Sequence, residues 1–143
     1  MNTVDLFRSA IERQDLAAVG DLFTEDIRFY SPVKFTPFEG KPMVLGLFGV
    51  LLRTFEDFRY VGRFDGSAQT FTGDDDTPSA VLLFRTRVGD TQIHGIDLIH
   101  LDEESKINEF TVMLRPRSAA QAVSDAVVAG LVADGLIPTP TAP

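Results

Sequence analysis

The sequence has no cysteine, no tryptophan and only two histidines among its 143 residues. The absence of cysteine excludes disulfides, thiolate nucleophiles, iron–sulfur clusters and zinc-finger sites. Basic residues are also scarce, with 13 against 21 acidic residues, which gives a net charge of −8. The largest basic cluster is the short run 115–117, so we expect neither nucleic acid nor an anionic membrane as a partner.

Long apolar runs are missing as well. No segment approaches the ~18 residues of a membrane span, and residues 1–10 lack the charged-then-apolar pattern of a secretion signal. We therefore expect a cytoplasmic protein. A hydrophobic content of 44%, with 12 phenylalanines, is sufficient for the core of one domain. The sequence predicts a single domain over residues 1–135 and a disordered tail over 136–143.

Apolar periodicity predicts four helices. Two short ones open the chain, and we expect Thr3 and Asp15 to cap them. Pro42 suits the first position of a long third helix, whose broad apolar stripe requires cover on most sides. The last helix is expected to begin with a capping box over 118–121.

Strand-like segments follow the second helix and then the third. The pattern predicts strands over 27–33, 58–64, 69–71, 80–88, 91–101 and 107–114. Helices combined with a run of antiparallel strands indicate an α+β domain with helices on one face of a curved sheet. Strands 80–88 and 91–101 are apolar on both faces, so we expect the outer face to form a homodimer.

Two stretches carry a family resemblance. They are DLAAVGDLFTEDI at 15–27, followed by Ser31-Pro32 and Glu39-Gly40, and GIDLIHLD at 95–102, followed by Lys106-Ile107 and Arg115-Pro116. In this order and spacing they resemble the nuclear-transport-factor-like superfamily, which includes ketosteroid isomerase, limonene epoxide hydrolase and the SnoaL-like polyketide cyclases. The resemblance implies a cone-shaped, curved antiparallel (mixed) sheet, wrapped around the N-terminal helices and the long third helix. It also implies a deep apolar pocket and dimers formed through the outer sheet face.

The family register places seven residues in that pocket as ligand-binding residues: Phe7, Phe29, Ser31, Phe48, Phe110, Val112 and Leu114. Phe7 falls where ketosteroid isomerase has its oxyanion-hole tyrosine, and Ser31 falls where it has its general-base aspartate. Phe7 cannot donate a hydrogen bond and Ser31 is no base unaided, so ketosteroid isomerisation is not expected. Tyr30 or Tyr60, the only tyrosines, could replace the lost donor.

Asp97 interrupts an otherwise apolar face of the strand over 91–101. A carboxylate there needs a partner, a proton or a polar pocket. Three roles are open: an acid or base in the pocket, a structural ion pair, and a solvent-exposed side chain. In ketosteroid isomerase the matching strand carries an aspartate that is kept protonated and donates a hydrogen bond.

His94 and Arg85 are candidate catalytic partners of Asp97. His94 lies three residues from Asp97, so the two share a face only if Gly95 forms a bulge. A two-residue turn at 89–90 places Arg85 opposite His94, whereas a turn one residue longer places it on the face of Asp97. The sequence leaves both alternatives open.

The resemblance and the isolated carboxyl of Asp97 together predict a small-molecule enzyme. We expect it to act on an apolar ligand by proton transfer, as an isomerase, cyclase or hydrolase, with neither metal nor cofactor. The alternative is a non-catalytic domain of the same fold that binds a small ligand or only dimerises.

Overall fold

The computed structural model describes residues 2–73 and 75–139. These residues form four helices and six strands. In chain order the elements are α1 (Thr3–Glu12), α2 (Leu16–Gly20), β1 (Phe23–Tyr30), β2 (Phe38–Glu39), α3 (Lys41–Thr54), β3 (Glu56–Gln69), β4 (Asp76–Val88), β5 (Thr91–Leu101), β6 (Ile107–Arg115) and α4 (Arg117–Ala133). No helix among the described residues is long and apolar enough to cross a membrane.

All six strands belong to one sheet, with the order β2-β1-β6-β5-β4-β3. β1 runs parallel to β6, and every other pair of neighbours is antiparallel. The sheet is curved and does not close, and α3 and α4 pack against each other and against its concave side. This is the α+β cone predicted from the sequence, including the mixed character of its sheet.

The helix ends follow the expected chemistry at only some positions. Asp15 caps α2 by accepting a hydrogen bond from the backbone N–H of Ala18 at 3.1 Å. Asn2, rather than Thr3, caps α1 and forms a capping box with Asp5. The capping box predicted at 118–121 was wrong, because the N-cap of α4 is Pro116, two residues before Ser118, and has no side-chain hydrogen bond.

The strand boundaries in the structure differ most from the predicted ones where a strand is exposed. β3 runs without interruption over residues 56–69, across the polar stretch that we expected to break it. It lies at the edge of the sheet and most of its residues are at least partly exposed, so its composition resembles that of a loop. The prediction was also inexact for β1, which begins at Phe23 and ends at Tyr30, before Pro32.

An aromatic cluster joins α3 to the sheet. Phe29 on β1 and Phe110 on β6 are Cα partners, and their rings stack with centroids 5.4 Å apart. Phe48 of α3 meets both rings edge-on, with centroids 5.5 and 5.3 Å away. Such contacts add to the free energy of apolar burial, so they hold α3 firmly over the sheet.

The segment after α4 belongs to the packed part of the chain. Leu136 and Ile137, which we expected in a disordered tail over 136–143, pack against the core instead. Gly46 of α3 makes room for this segment, since a Cβ at that position would lie 2.5 Å from Leu136 Cδ1. Residues 140–143 of the expected tail lie outside the described residues.

The β4–β5 hairpin has an unbroken register. Residues 79–88 pair one by one with residues 91–100, around a two-residue turn in which Gly89 has a φ of +57°. There is no bulge at Gly95. Its lack of a side chain has another use: a Cβ there would lie 2.4 Å from Phe84 Cζ and 2.9 Å from the Met113 carbonyl oxygen.

We expect Gly95→Ala to lower the free energy of unfolding by about 1–3 kcal/mol, because the new methyl group would overpack the face beneath Phe84. Gly66→Ala is the matched control, since Gly66 lies in β3 and a Cβ added there would have no other atom within 4 Å. Urea denaturation of both variants measures the difference, and equal stabilities would contradict this account of Gly95.

Candidate active site

Asp97 lies at the centre of the concave face. Its Cα partners are Leu82 on β4 and Val112 on β6, and it is only 5% exposed. The neighbours on its own face of β5, Ile93, Gly95 and Ile99, are buried as well. The sequence therefore predicted this face correctly, and the solvent-exposed role for Asp97 is wrong.

Among the described residues, the single hydrogen bond to the Asp97 carboxyl comes from Tyr60. The Tyr60 hydroxyl donates to Oδ2 of Asp97 over 2.9 Å, and the tyrosine is itself buried on β3. In the same part of the chain, Oδ1 has no hydrogen-bond partner, and no arginine or lysine pairs with the carboxyl. The structural ion pair considered for Asp97 is thus absent from the described residues.

Burial governs the protonation of this pair. It raises the pKa of Asp97 to about 7, against the opposing effect of the Tyr60 hydrogen bond, which favours the carboxylate. Burial and the adjacent Asp97 carboxyl also raise the pKa of Tyr60 well above its usual value. Near neutral pH, therefore, the phenol keeps its proton while the carboxyl can both accept and release one.

Asp97 and Tyr60 line a cavity of about 410 Å³ between the sheet and the helices. Six of the seven residues predicted to bind a ligand also line it: Phe29, Ser31, Phe48, Phe110, Val112 and Leu114. Ser31 lies in the segment after β1, where its Oγ accepts hydrogen bonds from the N–H groups of Val33 and Lys34, both at 3.4 Å. Six of the seven positions implied by the family resemblance thus lie around one cavity.

Phe7 does not line the cavity. It is fully buried, and its ring packs against Phe48 and Phe110 with centroid distances of 6.0 and 5.2 Å. Phe7 therefore lies behind the two rings that form this part of the cavity wall.

His94 and Arg85 do not share the site with Asp97. The two-residue turn makes them Cα partners of each other, so both belong to the opposite face from Asp97. They line a separate, open notch on that face. The hypothesis that either one acts directly on Asp97 was wrong, since it required a bulge or a longer turn.

His100 also lies on the outer face, 1% exposed. Its Nε2 is 3.5 Å from Oε2 of the buried Glu109, and its Nδ1 contacts the hydroxyls of Thr77 and Ser79. Burial lowers the pKa of His100, while the charge of Glu109 opposes that change. Among the described residues, no group of three or more His, Cys, Asp and Glu side chains is placed to hold a metal ion.

Two contributors to the site were not assigned from sequence. Tyr60 was considered only as one of two possible donors, and its pairing with Asp97 depends on strand register across β3, β4 and β5. Helix α4 closes the cavity, and its lining residues include three that are spaced four apart: Val123, Val127 and Leu131. That spacing signals a buried helix face, but it does not say what the face covers.

We expect Asp97→Asn to stabilise the protein above pH 7. The raised pKa means that unfolding releases a proton between pH ~4 and 7, so the carboxyl lowers stability progressively across that window, by roughly 4 kcal/mol at most. The asparagine variant lacks this penalty. Urea denaturation at pH 4.5 and 8 measures it, with the exposed Asp90→Asn as control. A gain no larger at pH 8 than at pH 4.5 would contradict the raised pKa.

Comparison with known proteins agrees with this architecture. A crystal structure of a steroid delta-isomerase from Pseudomonas aeruginosa is 32% identical, with a TM-score of 0.78 over 94% of this chain and 93% of that one. An uncharacterized protein with a cystatin-like fold from Silicibacter pomeroyi is 27% identical, with a TM-score of 0.82 over 94% and 88% of the two chains. No curated protein matches.

The family model described as a SnoaL-like domain matches residues 4–110, which include every strand from β1 to β5 and also Asp97. The match spans most of the chain and agrees with both the element order and the solved structures. The chain belongs to the SnoaL-like domain family.

Proposed function

We propose that the protein is a small-molecule enzyme of isomerase or cyclase type, in which Asp97 moves a proton on an apolar ligand held in the cavity. One observation carries the proposal: a buried carboxyl with a pKa of about 7 lines the cavity and has one oxygen without a hydrogen-bond partner among the described residues. A base or acid with a pKa close to the operating pH is the most effective for proton transfer.

The chemistry balances within one substrate molecule. The Asp97 carboxylate removes a proton from a carbon or hydroxyl group of the ligand and becomes a carboxylic acid. It then returns that proton to a second atom of the same ligand, which completes a double-bond shift or a ring closure without net gain or loss. Tyr60 holds Oδ2 throughout, so Oδ1 is the oxygen available to the ligand.

The lining favours a ring-containing or terpenoid-like ligand. Phe29, Phe48 and Phe110 present aromatic surface to the cavity, and Val112 and Leu114 extend the apolar wall along β6. Cavities of this kind bind through apolar contact and orient the ligand with a few polar groups. In this cavity, Asp97 and Tyr60 are the polar groups that would orient the ligand.

The Pseudomonas aeruginosa steroid delta-isomerase, at 32% identity, supports an isomerase-type activity. Ketosteroid isomerisation itself is not our proposal. Phe7 supplies no hydroxyl and lies outside the cavity lining, and Ser31 stands where that enzyme family has its base. Asp97 would therefore serve as the proton-transferring group itself.

A ligand-binding domain without catalysis is the second candidate. It is favoured by the same two positions, Phe7 and Ser31, because the site then has one fewer donor and one fewer base than the isomerase arrangement. This candidate predicts saturable binding with the ligand recovered unchanged.

Deuterium exchange tests the proposal on a panel of candidate ligands. Apolar cyclic ketones and enones are incubated with the protein in ²H₂O, and we expect exchange at the carbon next to the carbonyl, with a pH dependence centred near 7. Asp97→Asn should lower the rate by about 10²–10⁴-fold. Asp90→Asn is the control. Exchange that is unchanged in Asp97→Asn would refute the assignment, and bound ketones without exchange would support the second candidate.

Tyr60→Phe gives an independent check on the same site. Loss of the phenol removes the hydrogen bond that favours the carboxylate, so the midpoint of the pH–rate profile should move upward. Tyr30→Phe, at the other tyrosine, should leave the midpoint in place. The profiles are measured by the same exchange assay, and a downward movement in Tyr60→Phe would contradict the assigned hydrogen bond.

We also propose that the outer sheet face forms a homodimer. Its support is a patch of half-buried or exposed apolar side chains on β4, β5 and β6: Val81, Leu83, Ile96, Leu98 and Met113. Met113 is 53% exposed. Sedimentation should show a dimer that Leu98→Lys converts to monomer, while Leu6→Lys on α1 should not. If the wild-type protein sediments as a monomer, the proposed dimer is contradicted.

A further inference from the structure

A row of basic residues crosses the outer face of the sheet. Arg85 on β4 pairs with His94 on β5, and His94 pairs with Arg115 on β6. Arg59 on the edge strand β3 pairs with Arg85 from the other side. Four consecutive strands thus place three arginines and a histidine next to one another, in a chain whose net charge is −8.

Such a row is unfavourable by itself, because like charges on directly opposed strand positions repel. Among the described residues, Arg85, His94 and Arg115 have neither a hydrogen bond nor an ion pair from their side chains. Arg87, two residues along β4, shows the contrast: it donates to Asp57 Oδ2 at 2.7 Å and also pairs with Glu56. Glu56 and Asp57, the acidic side chains at the start of β3, are therefore already engaged by Arg87.

The row also borders a concavity. Arg85, His94 and Arg115, together with Gln92 and Pro116, line an open notch of about 170 Å³. Neighbouring strands are ~4.8 Å apart, so the two arginines flank His94 with about 10 Å between their backbones. Two guanidinium groups on either side of an imidazole suit an anion whose charge is spread over several oxygens.

We propose that this notch is an oxyanion site that binds a phosphate-type group, with diphosphate best matched to the spacing of Arg85 and Arg115. The guanidinium groups supply paired N–H donors, and His94 supplies a ring N–H from between them. The site lies on the opposite face of the sheet from Asp97, so it is independent of the reaction proposed for the cavity.

The two histidines make the test direct. In a phosphate-free buffer, sodium diphosphate is titrated while the imidazole proton resonances of His94 and His100 are followed by NMR. We expect a saturable shift of the His94 signal and a constant His100 signal, because His100 is fully buried away from the notch. Sodium chloride at equal ionic strength should reproduce neither the shift nor its saturation.

Variants then assign the binding to the row. Arg85→Gln should weaken diphosphate binding by roughly 10- to 100-fold, as expected for loss of a charge-assisted donor pair. Arg85→Lys, which keeps the charge but not the planar fork, should weaken it less. Arg53→Gln, an exposed arginine paired with Asp134 on α4's C-terminal side, makes the same change in net charge and should leave the affinity unchanged.

Three results would overturn the proposal. They are the absence of a saturable His94 shift, an equal shift with sodium chloride, and undiminished affinity in Arg85→Gln. A second copy of this chain could also supply anionic groups to the notch, as side-chain carboxylates. Sedimentation during the same titration tests that alternative. If Arg85→Gln or diphosphate converts a dimer to monomers, the notch is a subunit contact and the ligand site is rejected.

Discussion

The two-residue turn between β4 and β5 determines where all the charged groups of this hairpin lie. Because side chains alternate across a strand, the length of that turn decides which residues of one strand share a face with those of the next. With Gly89 in the left-handed region, the register is continuous from the turn to the far end of the hairpin. Asp97 therefore lies inside the cone, and Arg85 and His94 lie outside it.

This separation leaves Asp97 with a phenol rather than a cation. An arginine beside the carboxyl would hold its pKa low and keep it ionised, as in a structural ion pair. Tyr60 instead offers one neutral hydrogen bond, too little to offset burial, and the pKa of Asp97 stays near 7. The folded chain thereby retains an unfavourable carboxyl at neutral pH, which is common where a group takes part in chemistry.

The same alternation gives the sheet two different surfaces. The inner one combines aromatic rings with the buried carboxyl of Asp97, and it is closed by α3, α4 and the segment at Leu136 and Ile137. The outer one carries an apolar patch and, at the next row of residues, the basic side chains of Arg85, His94 and Arg115. Arg85 and His94 thus lie on the face away from Asp97, where they cannot pair with its carboxyl.

The sequence alone predicted the α+β class, most of the element order and the strands around Asp97, because periodicity and local turn chemistry encode these features, but it missed the short β2. Six of the seven pocket positions implied by the family resemblance line the cavity. Tertiary structure decided the rest. Turn length and register fixed which face Arg85 and His94 occupy, and pairing across three strands brought Tyr60 to Asp97. Phe7 joined the core, and polar β3 became an edge strand, since both outcomes depend on neighbours distant in the chain.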